Sequence, residues 1–310
     1  MRYYFPFKTN DCVYSVDKLI LTGKFLYNSF DSFQTSLNSL IMKYSFVDSA
    51  PCDLVLLNNS FYLSKRKLTY LNNFRFELAF PCWSKGESFS FWLGTHFQNF
   101  DKVIDTWKLE INPNKCMPCE FVSALFNLLK LHSKSFNITE YDIAVDIPIS
   151  RENLFLVKDN RKYVLYQNSE FDKTEYLGTR HFEGFCKLYN KQLEQKLSFP
   201  LTRFEITCTS FDVESILHKI PTIYILKNQL EFIDFKLTGT DIFIIKTLLF
   251  SPSRIVELER KKRAKIQKAL NFCVSTFQFD SVAFYNLFFN LKDLSSFFEF
   301  DYMRSSFFSF

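Results

Sequence analysis

Apolar positions recur along this chain with two different periods, and the change from one to the other marks its elements. In residues 120–132 Phe121, Ala124, Leu125, Leu128 and Leu129 return at helical spacing and predict one amphipathic helix. A second helical stretch is predicted from Ser32 to Tyr44. Strand-like alternation appears at Phe61–Leu63, Phe74–Phe80, Phe89–Leu93 and Trp107–Ile111. It returns over 138–148, 162–167, 184–191 and 201–208, which read as strands of one sheet. Thr222 to Leu237 carries further strand and short-helix material. Ser251-Pro252-Ser253 is a serine cap followed by proline at the first helical position, predicting a helix through Leu270. The terminal forty residues are Phe-rich and are expected to pack back on the body. The polar run Ser133-Lys134-Ser135 suggests a boundary, giving an N-terminal α+β region over 1–132, a central region over 133–250 and a C-terminal region over 251–310.

Composition narrows this picture. With 310 residues and 47% hydrophobic content the chain has ample material for a large core, so disorder is excluded for its bulk. Its 38 Lys and Arg against 33 Asp and Glu leave a net charge of +5, a mild hint of a polyanionic partner. Only 6 glycines are present, and no phosphate-cradling glycine motif occurs. The longest apolar run, Ile242 to Phe250, is interrupted by Lys246 and Thr247, so no membrane span is expected. The first residues do not read as a secretory signal, and a cytoplasmic protein is expected. The 8 cysteines then read as free thiols; Cys116-x-x-Cys119 lacks the second pair that a zinc site requires. His96, His132, His181 and His218 are too scattered to form a paired-histidine metal motif.

Chemistry concentrates in three of the alternating segments. In residues 141–147 the strand period sets Tyr141, Ile143, Val145 and Ile147 on one face and Asp142, Ala144 and Asp146 on the other. In 185–191 it groups Lys187, Tyr189 and Lys191, a tyrosine between two lysines. In 203–208 it separates Phe204, Ile206 and Cys208 from Arg203, Glu205 and Thr207. If these strands are neighbours, one sheet face carries Asp142, Asp146, Arg203, Glu205 and Tyr189. Clustered carboxylates with no thiol or imidazole favour Mg²⁺ or Mn²⁺, which can polarise a phosphodiester. Nearby ammonium charge would favour a phenolate at Tyr189, able to attack phosphorus while arginine stabilises the phosphoryl charge. The alternative is an ordinary antiparallel sheet with a solvated polar face.

The same segments resemble a known family. Ile138-Thr139-Glu140-Tyr141-Asp142-Ile143-Ala144-Val145-Asp146 resembles its "T-R-x-D-hydrophobic-A-hydrophobic-D" strand, and Glu175-Tyr176-Leu177-Gly178-Thr179-Arg180 its "Y-x-G-S/T-R" segment. Lys187-Leu188-Tyr189-Asn190-Lys191-Gln192-Leu193-Glu194 is similar to "R-hydrophobic-Y-D/N-K-x-x-E". Leu201-Thr202-Arg203-Phe204-Glu205-Ile206 is similar to "hydrophobic-x-R-hydrophobic-E-hydrophobic". The family is the replication initiation factor family, Rep_trans, of rolling-circle initiators of small plasmids and some filamentous phages. The resemblance implies a metal-dependent, site-specific DNA nicking and closing enzyme. By it, Tyr189 is the nucleophile, Asp142, Asp146 and Glu205 are metal ligands or their supports, Arg180 and Arg203 clamp phosphate, and Glu194 is a candidate base. Glu140 and Lys187 depart from arginines common in the family. The fold expected is α+β, a mainly antiparallel sheet with helices packed on one face and catalytic residues on the other.

The predicted helix after Ser251 carries Arg254, Arg260, Lys261, Lys262, Arg263, Lys265 and Lys268, a strip able to neutralise DNA phosphates. With Lys187 and Lys191 these are the candidate DNA-binding residues, and related plasmid initiators carry origin discrimination toward the C terminus. The implied partners are origin DNA as duplex and nicked single strand, a second copy in a homodimer, and a host superfamily-one helicase. Competing readings are a mobilisation relaxase or phage-type nickase, and a non-catalytic DNA-binding regulator with the same fold.

Overall fold

A strand that simple alternation misses, β2 (Cys12–Phe25), lies inside the main sheet. Its pattern is broken by register shifts between Val16 and Lys18 and between Ile20 and Leu21, so no single period runs through it. The structure, a computed structural model, describes residues 6–45, 74–79, 88–98, 101–116, 120–169, 171–227 and 236–293. The predicted strand at Phe61–Leu63 lies outside these.

The other strands of the sheet are β1 (Phe7–Thr9), β3 (Phe74–Ala79), β4 (Ser88–Gln98), β5 (Asp101–Ile111), β6 (Ser133–Ile147), β8 (Tyr163–Gln167), β9 (Lys173–Leu177), β10 (Cys186–Asn190) and β11 (Thr202–Cys208). Their order is β3-β4-β5-β2-β6-β11-β10-β9-β8, with β1 also paired to β2, and every pairing is antiparallel. Together with the helices below, this is the α+β class that the pattern predicts.

One face of the sheet is apolar, and helices cover it. Tyr141, Ile143, Val145 and Ile147 of β6 and Phe204, Ile206 and Cys208 of β11 share one core with three helices. These are α1 (Phe30–Ser45) through Phe33 and Leu37, α3 (Glu120–His132) through Val122, Leu125, Phe126 and Leu129, and α8 (Ser281–Lys292) through Phe284, Leu287, Phe288 and Leu291. Tyr141 stacks on Phe211 at 5.3 Å, meets Phe288 edge-on, and donates its hydroxyl to the Ser210 carbonyl at 2.6 Å, so its polar tip is satisfied. Within the Phe-rich C-terminal segment, α8 packs on the sheet as expected, while residues 294–310 lie outside the described residues.

A smaller sheet, β13-β12-β7, is formed by β7 (Leu154–Leu156), β12 (Ile223–Leu226) and β13 (Val274–Thr276). Leu154 and Leu156 face the main core, whereas Phe155 joins a second core with Leu226 and the buried faces of α6 (Gly239–Phe250) and α7 (Arg260–Cys273). The helix predicted from Ser251 to Leu270 is therefore two elements: a 3₁₀ turn over Pro252–Glu257, an extended Leu258, then α7.

The boundaries drawn at residues 133 and 251 both fall inside packed units. Ser133-Lys134-Ser135 opens β6 and pairs with the end of β2, and Ser133 accepts a hydrogen bond from the Trp107 indole at 2.7 Å. Residue 251 separates α6 from α7, which share the second core. Neither position divides two independent cores.

The two sheets are joined by a buried ion pair. Arg151 bonds Glu175 of β9 and donates to the carbonyls of Leu154 at 2.6 Å and Leu188 at 3.2 Å. Glu175 also accepts from the Tyr163 hydroxyl at 2.9 Å and the Leu156 amide at 3.3 Å. Removing one partner of such a pair leaves a buried charge uncompensated. Glu175→Gln is expected to cost about 3–5 kcal/mol in denaturant unfolding, and Glu175→Leu combined with Arg151→Met markedly less; equal losses would show that the pair's volume, not its charge, is what matters.

Candidate active site

The three chemistry-bearing segments are neighbours in the order β6-β11-β10. Asp146 lies opposite Arg203, Ala144 opposite Glu205 and Asp142 opposite Thr207; Arg203 lies opposite Tyr189 and Glu205 opposite Lys187. All of them share the face away from the helices, as the period of two requires. That face is not solvated: Asp142 is 8% exposed, Glu205 4%, and Asp146 and Arg203 2% each.

Arg203 sits at the centre of one half. Its Nε and Nη2 donate to the two oxygens of Asp146 at 2.6 and 2.7 Å, a bidentate fork, and its Nη1 donates to Asp17 at 2.6 Å. These carboxylates hold the guanidinium in its charged form well above its ordinary range, against the opposing effect of burial. Asp17 comes from the β2 bulge, and Asn114 of the short helix α2 (Pro113–Cys116) donates to it at 3.4 Å. Although burial opposes it, Arg203 holds the Asp17 carboxyl below the usual range. Two expectations change here. Asp146 is committed to Arg203, and Arg203 faces carboxylates, so it positions strands where a phosphate clamp was expected.

The metal set also changes. Asp142 and Asp146 share a face, but four residues of strand separate their Cα atoms by about 13 Å, too far for both to ligate one ion. Among the described residues no group of three or more His, Cys, Asp or Glu side chains is arranged to hold a metal. The three-carboxylate set therefore does not fit, and the carboxylates that stand near one another are Asp142 and Glu205. Burial, with the added charge of Glu205, pushes the Asp142 carboxyl up to about 6, although the Thr207 hydroxyl donates to it at 2.6 Å.

The other half centres on Tyr189. Its hydroxyl donates to Glu205 Oε1 at 2.7 Å, and Lys187 donates to Glu205 Oε2 at 2.6 Å. Lys191, nine-tenths buried, lies 3.4 Å from the phenol oxygen and bonds Glu194 at 2.6 Å. The lysines were expected to lower the phenol pKa. Instead burial, followed by the charge of Glu205, holds it well above its ordinary value, so Tyr189 is protonated and aimed at a carboxylate. Lys187 is held above its ordinary range by Glu205, against burial. Glu194 lies at the exposed edge, tied to Lys191; the carboxylate within reach of the phenol proton is Glu205.

Arg180 is exposed in the loop between β9 and β10, which turns through Gly178 at φ +98° and Gly184 at φ +82°. The glycine of the Y-x-G-S/T-R segment thus stands where the backbone needs a left-handed conformation. Exposed His181 follows, its Nδ1 3.4 Å from Glu140, which also bonds Lys18 of β2. Lys18 and Asp17 were missed because they fall at the bulge; two consecutive charges interrupting an apolar strand were the available signal.

On α7 the expected strip is partly occupied. Lys265 donates to Asp241 at 2.8 Å, Lys262 lies 3.9 Å from the same carboxylate, Arg263 caps the carbonyls of Val256 and Leu258, and Arg254 bonds Glu257 at 3.1 Å. Arg260, Lys261 and Lys268 are exposed. Of the cysteines, Cys12, Cys186, Cys208 and Cys273 are buried and in no disulfide; Cys119 lies outside the described residues. Among the described residues no helix is long and apolar enough to cross a membrane.

No protein-family model matches this chain, and no curated protein matches it. Among solved structures the chain is similar to a rolling circle replication initiator protein from Geobacillus stearothermophilus, with 15% identity and a TM-score of 0.31 over 76% of this chain and 83% of that one. The reading of the site therefore rests on its own residues.

The raised Asp142 carboxyl has a pH signature. Its folded value of about 6 lies above its ordinary 3.8, so the folded state binds more protons between them and stability falls as pH rises through that window. Asp142→Asn keeps the Thr207 hydrogen bond and is expected to remove about 3 kcal/mol of this slope. Denaturant unfolding at pH 4 and pH 7 checks it; identical slopes in the two proteins would refute the shift.

Proposed function

We propose that this chain is a rolling-circle replication initiator that nicks and rejoins origin DNA through Tyr189. The observation that carries the reading is the Tyr189 to Glu205 hydrogen bond on a buried polar sheet face, at the positions where the four motifs resemble the initiator family. A solvated sheet face has no cause to bury so many charges in paired geometry.

Glu205 takes the phenol proton as Tyr189 Oη forms its bond to phosphorus, and the bond from phosphorus to the 3′ oxygen breaks. The 3′ oxygen takes up a proton, balanced by the one Glu205 has accepted from the phenol, and becomes a free hydroxyl, while the 5′ phosphate remains on Tyr189. Attack by a 3′ hydroxyl on the phosphotyrosine reverses these changes and closes the strand. Lys187 and Lys191 offset the phosphoryl charge at the nucleophile, and Arg180 reaches the strand from its exposed loop. With both oxygens of Glu205 engaged by Tyr189 and Lys187, Asp142 is the carboxylate of this pair that would offer an oxygen to Mg²⁺ or Mn²⁺, which would polarise the phosphodiester. Arg260, Lys261 and Lys268 of α7 are the exposed cations available to origin duplex. The homodimer and the helicase partner rest on the resemblance alone.

On supercoiled DNA carrying the cognate replicon, the wild type with Mg²⁺ or Mn²⁺ is expected to leave protein attached to the 5′ end. Tyr189→Phe should abolish the adduct, and Glu205→Gln should slow it by about 10²–10⁴-fold. Nicking that survives Tyr189→Phe would move the nucleophile elsewhere; duplex binding without nicking under every condition would leave a DNA-binding regulator. Charge reversal at Arg260, Lys261 and Lys268 should weaken duplex binding and flatten its salt dependence while sparing cleavage of a short single strand. Equal loss in both assays would remove α7 from duplex recognition.

A further inference from the structure

The face that carries Tyr189 continues across two more strands. Tyr189 pairs with Thr174 of β9, and Thr174 with Tyr166 of β8, so Arg203, Tyr189, Thr174 and Tyr166 form one cross-strand row. In the next row Glu205, Lys187, Tyr176 and Val164 stand side by side. Two strand spacings place the Cα atoms of Tyr189 and Tyr166 about 10 Å apart, with small Thr174 as the floor between them.

The aromatic side chains here are ordered by one another yet one is left open. Tyr176 stacks on Phe185 at 5.9 Å and 14°, and Tyr166 meets Tyr176 edge-on at 5.8 Å and 86°. Phe185 is buried, whereas Tyr166 is 66% exposed. Among the described residues β8 is the edge strand of the sheet, with no further strand paired on its outer side. Cations flank the row: Lys187, about one-third exposed, lies opposite Tyr176, and exposed Arg180 sits on the loop that follows β9. An oriented aromatic ring beside exposed positive charge fits a chain of stacked bases joined by phosphates.

We propose that Tyr166, held by Tyr176, is a base-stacking platform for single-stranded DNA, seating a nucleotide close to the one whose phosphate Tyr189 attacks. The proposal deepens the nickase reading and rests on it for the identity of the strand. The platform needs no sequence contact, because every base offers a π face.

The test uses the full chain carrying Tyr189→Phe, so that no strand is cut, and fluorescence anisotropy with an oligothymidylate of about twelve nucleotides. An abasic oligomer of equal length is the second probe. Tyr166→Ala is expected to weaken oligothymidylate binding about tenfold, Tyr166→Phe to bind within about twofold of the parent, and the abasic oligomer to be indifferent to both changes. Tyr166 is exposed, and coincident thermal melts will establish that the variant folds. Unchanged oligothymidylate affinity in Tyr166→Ala overturns the platform, as does an equal loss for the abasic oligomer. Wild-type nicking, scored separately, distinguishes the two readings. A Tyr166 dependence without any nicking removes the nickase alone, and nicking with affinity indifferent to Tyr166 removes the platform alone.

Discussion

The guanidinium of Arg203 determines how the polar face is built. It reaches Asp146 on the strand to one side and Asp17 on the strand beyond, so that one planar group links β11, β6 and β2. Leaving any of the three unpaired would strand a charge in a region that water scarcely enters, and the desolvation cost of such a charge exceeds that of most single contacts. The register of β6 against β11 is thereby constrained from both faces: apolar packing against the helices on one side, ion pairing on the other. A slip of one residue would turn Asp146 into the core and Val145 to the polar side. The positions of Glu205, Thr207 and Tyr189 follow from that register.

The electrostatics of the second half run opposite to a simple count of lysines. Three ammonium or guanidinium groups surround Tyr189, yet its proton is held, first because burial disfavours the phenolate and then because Glu205 accepts its hydrogen bond and pairs with the Lys187 charge. A buried phenol bonded to a carboxylate rests with its proton in place, so Tyr189 is held as the phenol and not as a preformed phenolate.

Much of this was legible in the residue pattern. Alternation in 141–147, 185–191 and 203–208 correctly grouped Asp142, Asp146, Lys187, Tyr189, Arg203, Glu205 and Thr207 on one face. It could not tell that this face is buried, nor that Arg203 would pair with carboxylates, because pairing depends on the neighbouring strand and Asp17 reaches it through a bulge. Distance along a strand was also invisible to face assignment: Asp142 and Asp146 look adjacent on one side but are two pleats apart. The Arg151 and Glu175 pair escaped notice because Arg151 lies on a 3₁₀ turn and Glu175 on a short strand where Lys173 and Glu175 fill alternating buried positions instead of apolar residues. The break at Leu258 in the basic helix was likewise unmarked by glycine or proline.

The ends of the described chain meet. Asp280, at the start of α8, accepts the Thr9 hydroxyl at 2.7 Å, and its amide donates to the hydroxyl of Tyr14 at 2.9 Å. During synthesis β2 must wait for β6, and the Tyr14 hydroxyl for α8, so the central strand stays incompletely packed until the residues of α8 have left the ribosome. A truncated product ending before residue 280 would present the apolar side of its sheet without its last cover, and so would be prey to proteases and aggregation.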